Sequence, residues 1–456
     1  MRKPVAVIGG GWAGCAAAVT LARAGVPVAL FEAAPVFGGR ARRVTRAGLD
    51  LDNGQHLLLG AYANTLALMR LVHGVTGAND TVTRSRLAIV PLAPDQEAAL
   101  TLLCGKAPGR LGLLLGLLTA RGLNWSERWA NLMWFRNLQR GGFACKPEAT
   151  VAQLLEPLPR RVAASLWEPL CLAALNTPPS SASAQIFVNV LRAALAGAAS
   201  DSDFILPAKD LSALFPEAAA RYVTNHGGAM RTATSARILR SASGDVDVLA
   251  GGTLQSAIAA IVAVGPHQLG SAFAPEALSA KPELRSFLQQ MQALEYEPIV
   301  TVWLGYESAI PLPVPITRLD DKPGQWIVDR ADVLAEANAD SGRPPLRQLL
   351  AVILSASGPH DKLDHPALVR SIEVQLQRLQ PARPRSTWSQ VIAEKRATYA
   401  CTPRRMRPGG VRLVPGIYLA GDYVDEDYPA TLEAAVRSGV AAAEAVMADV
   451  TNKSLR

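Results

Sequence analysis

Cysteine and histidine are scarce in this sequence, and neither is spaced for a metal site. The 456 residues include six histidines and five cysteines, and no two cysteines form a C-x-x-C pair. Zinc sites and the disulfide frameworks of secreted domains both need cysteines that are close or paired. We therefore expect no metal centre and no disulfide framework. The five cysteines are Cys15, Cys104, Cys145, Cys171 and Cys401.

Secretory, transmembrane and nucleic-acid-binding signals are also missing. The chain starts with Met1-Arg2-Lys3-Pro4 and enters a strand without a signal peptide, which predicts a cytoplasmic protein. No run reaches about 18 apolar residues, so no transmembrane helix is expected. No run of lysines and arginines alternates with aromatic residues, so nucleic acid is not an expected partner. The net charge of +8 leaves two interpretations: a solvated surface, or one suited to the anionic inner face of a membrane.

The chain is organised around a glycine-rich turn near its start. Val5-Ala6-Val7-Ile8 predicts a buried parallel strand, three glycines then fit G-x-G-x-x-G, and an alanine-rich helix follows. A second strand ends in an acidic residue, whose carboxylate can accept hydrogen bonds from a ribose. This order of features predicts a dinucleotide site whose phosphates meet the helix N-terminus. Its predicted residues are Gly9, Gly11, Trp12, Ala13, Gly14 and Glu32.

Two later loops are predicted to face the same ligand. Gly39 adjoins a cluster of arginines, of which Arg40 can pair with the pyrophosphate or with the edge of a ring system. An Asn53-Gly54 turn then ends an alternating strand and leads to His56. A lone histidine there has two interpretations, a ring satisfied by the backbone or a proton donor that faces the ligand.

A strand, a glycine turn and a helix near the C-terminus complete the predicted site. The strand ends in Gly421-Asp422, and a helix is predicted to start at Ala430-Thr431. Asp422 can bind a ribityl hydroxyl, and the helix N-terminus can face an electron-rich flavin ring oxygen. The second glycine-rich turn is therefore expected to point back towards the first.

The predicted fold class is α/β: a Rossmann-like dinucleotide-binding domain, an interleaved α+β substrate domain and a helical lid. Strands are predicted over residues 229–238 and 246–249 around a turn, and over 257–264. The strand that returns to the first domain at 257–264 is expected to place the backbone near Ala236 against the adenine. Strands predicted over 297–306, 324–328 and 349–355 form the substrate-domain sheet. The predicted boundaries are 1–59, 205–270 and 401–456 for the dinucleotide-binding domain, 60–204 for the helical and substrate part, and 271–400 for the substrate sheet with its helices.

A leucine-rich segment distinguishes the helical part. Residues 111–118 are followed by Trp125, Trp129 and Trp134, which are interleaved with arginines. The segment is predicted to be a helix, but two settings remain open for it. It either packs in the core or dips into one leaflet of a membrane, at the mouth of a substrate tunnel.

Together these motifs resemble the flavin-containing amine oxidase and phytoene desaturase superfamily. The resemblance rests on the glycine loop with Glu32, on Gly38-Gly39-Arg40, and on Gly421-Asp422 with its closing helix, and it covers nearly the whole chain. Further segments resemble the squalene-associated branch of that superfamily, the hydroxysqualene dehydroxylases. These segments are Asp52-Asn53-Gly54-Gln55-His56, Trp167-Glu168-Pro169-Leu170 with Leu175-Asn176-Thr177, and Leu206-Pro207 with Asp210-Leu211.

The resemblance implies an FAD enzyme, so that the first domain is an FAD-binding domain. Within the branch it implies reduction of hydroxysqualene to squalene in hopanoid biosynthesis, with a long apolar isoprenoid substrate and other enzymes of the pathway as possible partners. Loss of an allylic hydroxyl needs an acid, for which His56 ranks first, before Asp425 and Tyr428. Because one G-x-G-x-x-G occurs, no nicotinamide domain is expected, and electrons would come from a transiently docked donor or a partner protein.

Three alternatives stay open from the sequence. A carotenoid-type desaturase would transfer hydride in the opposite direction on a similar polyene. An amine oxidase would need a polar, aromatic-lined pocket, which the apolar helical part argues against. A non-catalytic scaffold stabilised by flavin would present squalene to other enzymes.

Overall fold

The computed structural model describes residues 3–46, 48–93, 100–104, 110–242, 245–279, 282–330, 334 and 346–454. Within these residues the α-helices are α1 (Trp12–Arg23), α2 (Ala63–Asp80), α3 (Arg110–Thr119), α4 (Trp125–Arg140), α5 (Val151–Leu155), α6 (Arg160–Val162), α7 (Glu168–Leu175), α8 (Ala184–Leu195), α9 (Leu211–Leu214), α10 (Pro216–Asn225), α11 (Pro275–Ser279), α12 (Pro282–Gln292), α13 (His365–Leu379) and α14 (Leu432–Ser454).

The strands of the same residues fall into several separate sheets. They are β1 (Val5–Ile8), β2 (Val28–Phe31), β3 (Arg43–Arg46), β4 (Leu49–Asp52), β5 (Leu58–Leu59), β6 (Val82–Ser85), β7 (Ala88–Ile89), β8 (Leu102–Leu103), β9 (Phe204–Pro207), β10 (Ala229–Arg231), β11 (Ala236–Ala242), β12 (Asp245–Ala250), β13 (Thr253–Ala257), β14 (Ala259–Val262), β15 (Tyr296–Tyr306), β16 (Ile316–Arg318), β17 (Trp326–Asp329), β18 (Gln348–Ser355), β19 (Trp388–Tyr399), β20 (Arg412–Val414) and β21 (Ile417–Leu419).

A largely parallel sheet holds the glycine-rich turn. Its strand order is β10-β2-β1-β14-β21-β20, and β1 pairs in parallel with β2 and β14, so that Val7 lies between Leu30 and Ile261. The short strands β1, β2 and β14 are buried along their whole length, as expected for a sheet covered on both faces. All six strands come from the three segments predicted to form the dinucleotide-binding domain. This Rossmann-like α/β arrangement confirms the predicted fold class.

The strand predicted over residues 229–238 is wrong as one element. The chain leaves the parallel sheet after Arg231 and starts β11 at Ala236, in a separate antiparallel sheet of order β11-β12-β13. Ala233 adopts a left-handed φ of 49°, and its N–H donates to the Ala34 carbonyl. This turn ends the strand, yet it keeps Ala236 beside the end of β2.

The substrate-domain sheet is antiparallel, in the order β16-β17-β18-β15-β19. The three strands predicted for it are present, and Val302 of β15 lies opposite Val352 of β18. Helix α13 covers one face of the sheet. Its contacts are the buried side chains of Leu368, Ile372 and Leu376, which recur every four residues and so lie on one side of the helix.

The two ends of the chain pack together beside the parallel sheet. Helix α14 lies against α1, where Gly439 faces the Ala13 carbonyl so closely that a Cβ would overlap it. Glu433 of α14 is buried and accepts hydrogen bonds from the N–H groups of Asn64 and Thr65, which satisfies the N-terminus of α2. These contacts fix the C-terminal turn over the N-terminal one.

The leucine-rich segment forms α3, so the predicted helix is confirmed. Leu117 is buried in the core whereas Leu115 is half exposed. The side chains of Leu111, Leu113 and Leu114 lie outside the described residues. Among the helices described, none combines the length and the apolar character needed to cross a lipid bilayer.

Candidate active site

A cavity of about 1480 Å³ runs from the glycine-rich turn into the helical part. Single small-molecule sites measure about 300–1,000 Å³, so this cavity has room for a dinucleotide and a second long ligand. One end is lined by residues of β1, β2 and β11, and the middle by the loops that follow β2, β4 and β21. The far end is lined by apolar side chains: Leu87, Leu170, Phe187, Val190, Leu191, Leu195, Phe204, Leu206, Ile316, Val328 and Ile353.

The glycine loop forms a cradle that side chains would fill. Gly9 has a φ of 109°, and a Cβ there would lie 2.6 Å from the Ala263 carbonyl oxygen. At Gly14 a Cβ would overlap the Gly9 carbonyl oxygen, so Gly14 sets the close approach of α1 to β1. A Cβ on Gly11 would meet only Gly39, 3.8 Å away, which leaves the start of α1 open for phosphate oxygens.

Glu32 lies at the end of β2 and lines the cavity. One carboxylate oxygen accepts from the N–H of Gly10 at 2.6 Å and the other from the N–H of Ala34 at 2.7 Å. Both bonds hold the carboxylate at the mouth of the glycine loop. Each oxygen keeps a further lone pair, with which it can accept a ribose hydroxyl.

An ion pair between Arg40 and Asp422 joins the two distant parts of the site. Nη2 of Arg40 donates to Asp422 at 2.7 Å, and Nη1 donates to the Ala397 carbonyl at 2.8 Å. Asp422 is buried, and Asn53 donates to the Arg40 carbonyl at 3.2 Å. The guanidinium is therefore held at the cavity wall between the C-terminal turn and β19.

The C-terminal turn presents backbone and a helix end to the same space. The N–H of Gly421 donates to the Ser438 hydroxyl at 2.8 Å, which anchors the turn on α14. Thr431 accepts from the N–H of Ala434 and so caps α14, whose N-terminus borders the cavity at Ala430 and Thr431. A partial positive charge thus faces the middle of the cavity.

The predicted cofactor residues converge on one space, with the single exception of Gly14, which packs beneath the loop. The ones that line the cavity are Gly9, Gly11, Trp12, Ala13, Glu32, Gly39, Arg40, Asn53, Gly54, Ala236, Gly421, Asp422, Ala430 and Thr431. A phosphate cradle, a ribose acceptor and a helix N-terminus along one cavity fit an extended dinucleotide.

His56 lines the middle of the cavity, and its ring is held by the backbone. Its Nδ1 lies 2.8 Å from the Gly54 carbonyl oxygen, which can only accept, so Nδ1 carries a hydrogen. Burial lowers the pKa of His56, and nearby Arg40 lowers it further, so the ring is neutral at pH 7 and Nε2 is an acceptor. His56 donates a proton from Nε2 only in its imidazolium form.

The structure does not bring Asp425 and Tyr428 to the cavity wall. Asp425 pairs with Arg437 at 3.0 Å and accepts from the N–H groups of Asp427 and Tyr428, which closes a local turn. The Tyr428 ring lies under the Arg437 guanidinium, 4.9 Å away. Both residues organise the loop before α14, and their predicted role as acids has no support from this geometry.

A buried ion pair lies beneath the loop that carries His56. Arg330 donates to Asp52 at 3.0 Å and to the Gln55 side chain at 2.9 Å, and both charged side chains are almost fully excluded from solvent. Asp52 also accepts from the N–H of Leu211 at 2.7 Å. The pair thus connects β4 and the loop after it to β17 and α9.

Several cavity residues were not predicted. Tyr296, His267 and the 394–398 segment of β19 all line the middle of the cavity. Nδ1 of His267 lies 3.4 Å from the Tyr296 hydroxyl, and burial raises the pKa of that phenol. The one signal in the sequence was the charged triplet Glu394-Lys395-Arg396 inside a strand pattern, and β19 is an edge strand on which Lys395 and Arg396 are exposed.

Known proteins match the chain over nearly its full length. Residues 12–447 match the family described as flavin containing amine oxidoreductase. A hydroxysqualene dehydroxylase of Rhodopseudomonas palustris is 29% identical, over 98% of this chain and 99% of the relative. A zeta-carotene desaturase of Synechocystis is 22% identical over 98% and 97%. An oxidoreductase structure from Methanosarcina mazei superposes with a TM-score of 0.71 at 15% identity, over 98% and 100%.

The family match spans far more than half of the chain. The chain therefore belongs to the flavin-containing amine oxidoreductase family and is a flavin-dependent oxidoreductase.

Proposed function

We propose that this enzyme binds FAD and reductively removes the allylic hydroxyl of hydroxysqualene to give squalene, as a step of hopanoid biosynthesis. The observation that carries the proposal is the single cavity that joins the dinucleotide cradle to a long apolar end. The name of the full-length relative from Rhodopseudomonas palustris supports the same reaction.

FAD suits the site because the cavity offers one set of residues for its adenosine end and another for its flavin end. The glycine loop, Glu32 and Ala236 would hold the adenosine and pyrophosphate, while Asp422 and the N-terminus of α14 would hold the ribityl chain and ring. These two groups lie along one cavity, so a mononucleotide would leave the adenine end unfilled. When bound and reduced, FAD supplies the hydride that replaces the hydroxyl, which leaves as water once it is protonated.

The apolar end suits a hydrocarbon substrate. Each methylene that leaves water contributes about 0.8 kcal/mol, so a C30 chain gains its affinity from walls of the kind that Phe187, Leu191 and Leu195 provide. In that position the hydroxyl end would reach the middle of the cavity. His56 is the titratable group that we propose as proton source there.

The experiment is an anaerobic single turnover. The purified holoenzyme is reduced with dithionite and mixed with hydroxysqualene, and we expect the visible flavin band to return with one squalene formed per flavin. Bleaching of the oxidised enzyme by phytoene would instead identify a desaturase, and bleaching by putrescine an amine oxidase. A reduced flavin that stays reduced with hydroxysqualene would contradict the proposal.

We also propose that electrons come from a transiently docked donor or a partner protein. Within the described residues the parallel sheet forms one dinucleotide cradle, and that cradle is assigned to FAD. Mixing the oxidised enzyme with NADPH in the same instrument should therefore give slow reduction that does not saturate. Rapid, saturating reduction would show a built nicotinamide site.

A pH profile tests the role of His56. Because the pKa of His56 is lowered, its imidazolium form is rare at pH 7, and single-turnover rates should rise as the pH falls through that lowered pKa. His56→Gln should lose this rise and be slower by about 100-fold at low pH. Unchanged flavin content would show that the site is intact. A wild-type rate that falls with falling pH would instead make His56 an acceptor.

A further inference from the structure

We infer that one face of the helical part docks on the surface of an anionic lipid bilayer. We define the α3–α4 face by exposed side chains of the packed elements β8, α3 and α4, namely Leu103, Leu115, Trp125, Trp129, Arg136 and Arg140. Trp125 is 75% exposed and Trp129 62%, and they are the only tryptophans among the exposed large apolar side chains of the described residues. Indole rings with this exposure are typical of the boundary between lipid headgroups and acyl chains.

The two faces of α4 are sharply different. At about 100° per residue, Trp125, Trp129, Arg136 and Arg140 fall within about 60° of arc. The opposite side carries Asn131, Trp134 and Phe135, all buried. The outward stripe has tryptophans in its first turns and arginines in its last turns, the composition of a helix that lies in the plane of a membrane surface.

Charge is concentrated in the same region. Residues 103–146 contain seven lysines and arginines and one acidic residue, a net charge of +6 in a chain whose total is +8. Arg121, Arg136 and Arg140 are exposed. Because basic groups near an anionic bilayer are attracted within a Debye length, this distribution favours lipid over an uncharged apolar partner.

The α3–α4 face is connected to the apolar end of the cavity. On its inner side, Trp167 donates to Asn131 of α4 at 2.8 Å, and Trp167 directly precedes α7, whose Leu170 lines the cavity. Beside β8, the N–H of Cys104 donates to the carbonyl of Leu87, another lining residue. Contacts through Asn131 and Trp167, and through Cys104 and Leu87, therefore run from this face to the wall of the cavity. Delivery of substrate from a bilayer at this face rests on the proposed function.

Vesicle sedimentation without substrate tests the docking alone. The holoenzyme should bind vesicles of two parts phosphatidylcholine to one part phosphatidylglycerol, and lose binding at high salt. Trp125→Ala/Trp129→Ala should weaken binding about tenfold or more. Arg136→Gln/Arg140→Gln should weaken it about 30-fold on these vesicles, and much less on pure phosphatidylcholine, because each basic residue contributes about fivefold.

The matched control replaces exposed apolar residues elsewhere, Leu254→Ala/Val374→Ala, and should bind like the wild type. Flavin content and melting temperature show whether each variant is folded. If the tryptophan variant is unfolded, vesicle binding by the arginine variant tests the inference. Equal binding by control and face variants would overturn the inference. So would a dimer that the tryptophan substitutions dissociate, because the face would then contact a second copy. Either failure leaves the single-turnover result intact.

Discussion

Gly14→Ala is expected to yield a nearly colourless protein. The added Cβ would overlap the Gly9 carbonyl oxygen, and a backbone atom cannot move aside as a flexible side chain does. The glycine loop must then shift, and its backbone N–H groups no longer point towards the phosphate oxygens. Loss of two charge-assisted hydrogen bonds at about 1.5–3 kcal/mol each weakens flavin binding by about 100- to 10,000-fold.

The matched control for this prediction is Gly77→Ala. Gly77 is also helical, but a Cβ there would meet only the His73 side chain at an ordinary 3.5 Å. Since alanine has the higher helix propensity, this variant should keep its flavin and be no less stable. Flavin content after gel filtration and a fluorescence titration with FAD measure both variants. Normal flavin affinity in Gly14→Ala would place the dinucleotide elsewhere in the cavity.

The glycine loop could be predicted because its physics is local. A strand, three glycines, a helix and Glu32 follow within about 30 residues, the length of a βαβ unit. Each terminus of the chain carried its own signal, yet the ion pair of Arg40 with Asp422 spans 382 positions. The sequence patterns indicated Arg40 and Asp422 separately as site residues. Their contact depends on the packing of α14 on α1, which no local pattern predicts.

Other parts of the site depend on tertiary structure alone. Glu394 faces the cavity because β19 pairs with β15 in a register that sets it opposite Ile299, and no local pattern encodes that register. Because Asp425 closely follows the Gly421-Asp422 turn, the sequence predicted it as an acid beside the flavin ring. Its carboxylate is instead used by two backbone N–H groups and Arg437, since a short loop must satisfy its own polar groups first.

Arg330→Met is expected to cost about 3–5 kcal/mol of unfolding free energy, because it leaves the Asp52 carboxylate buried without its partner. The double variant Asp52→Asn/Arg330→Met should recover most of this loss, since the amide oxygen still accepts from the N–H of Leu211 and no charge remains. Urea denaturation of the wild type and the variants gives the coupling energy. The control is the exposed pair of Lys3 and Asp245, where Lys3→Met should cost at most about 1 kcal/mol.

The pH dependence of the unfolding free energy shows whether burial of Asp52 or its attraction to Arg330 has the larger effect on the pKa of Asp52. Burial raises the pKa of Asp52 to about 6, and the attraction of Arg330 offsets this only in part. An unfolded aspartate has a pKa of about 3.9. Between these values the folded state therefore holds a proton that the unfolded state has released, so the unfolding free energy should fall as the pH rises from about 4 to about 6. Asp52→Asn should lack this contribution. The opposite result would be a wild-type unfolding free energy that rises, relative to that of Asp52→Asn, between about pH 4 and about pH 6. The attraction of Arg330 would then outweigh the burial penalty on Asp52. In that case the double variant should not recover the stability that Arg330→Met loses.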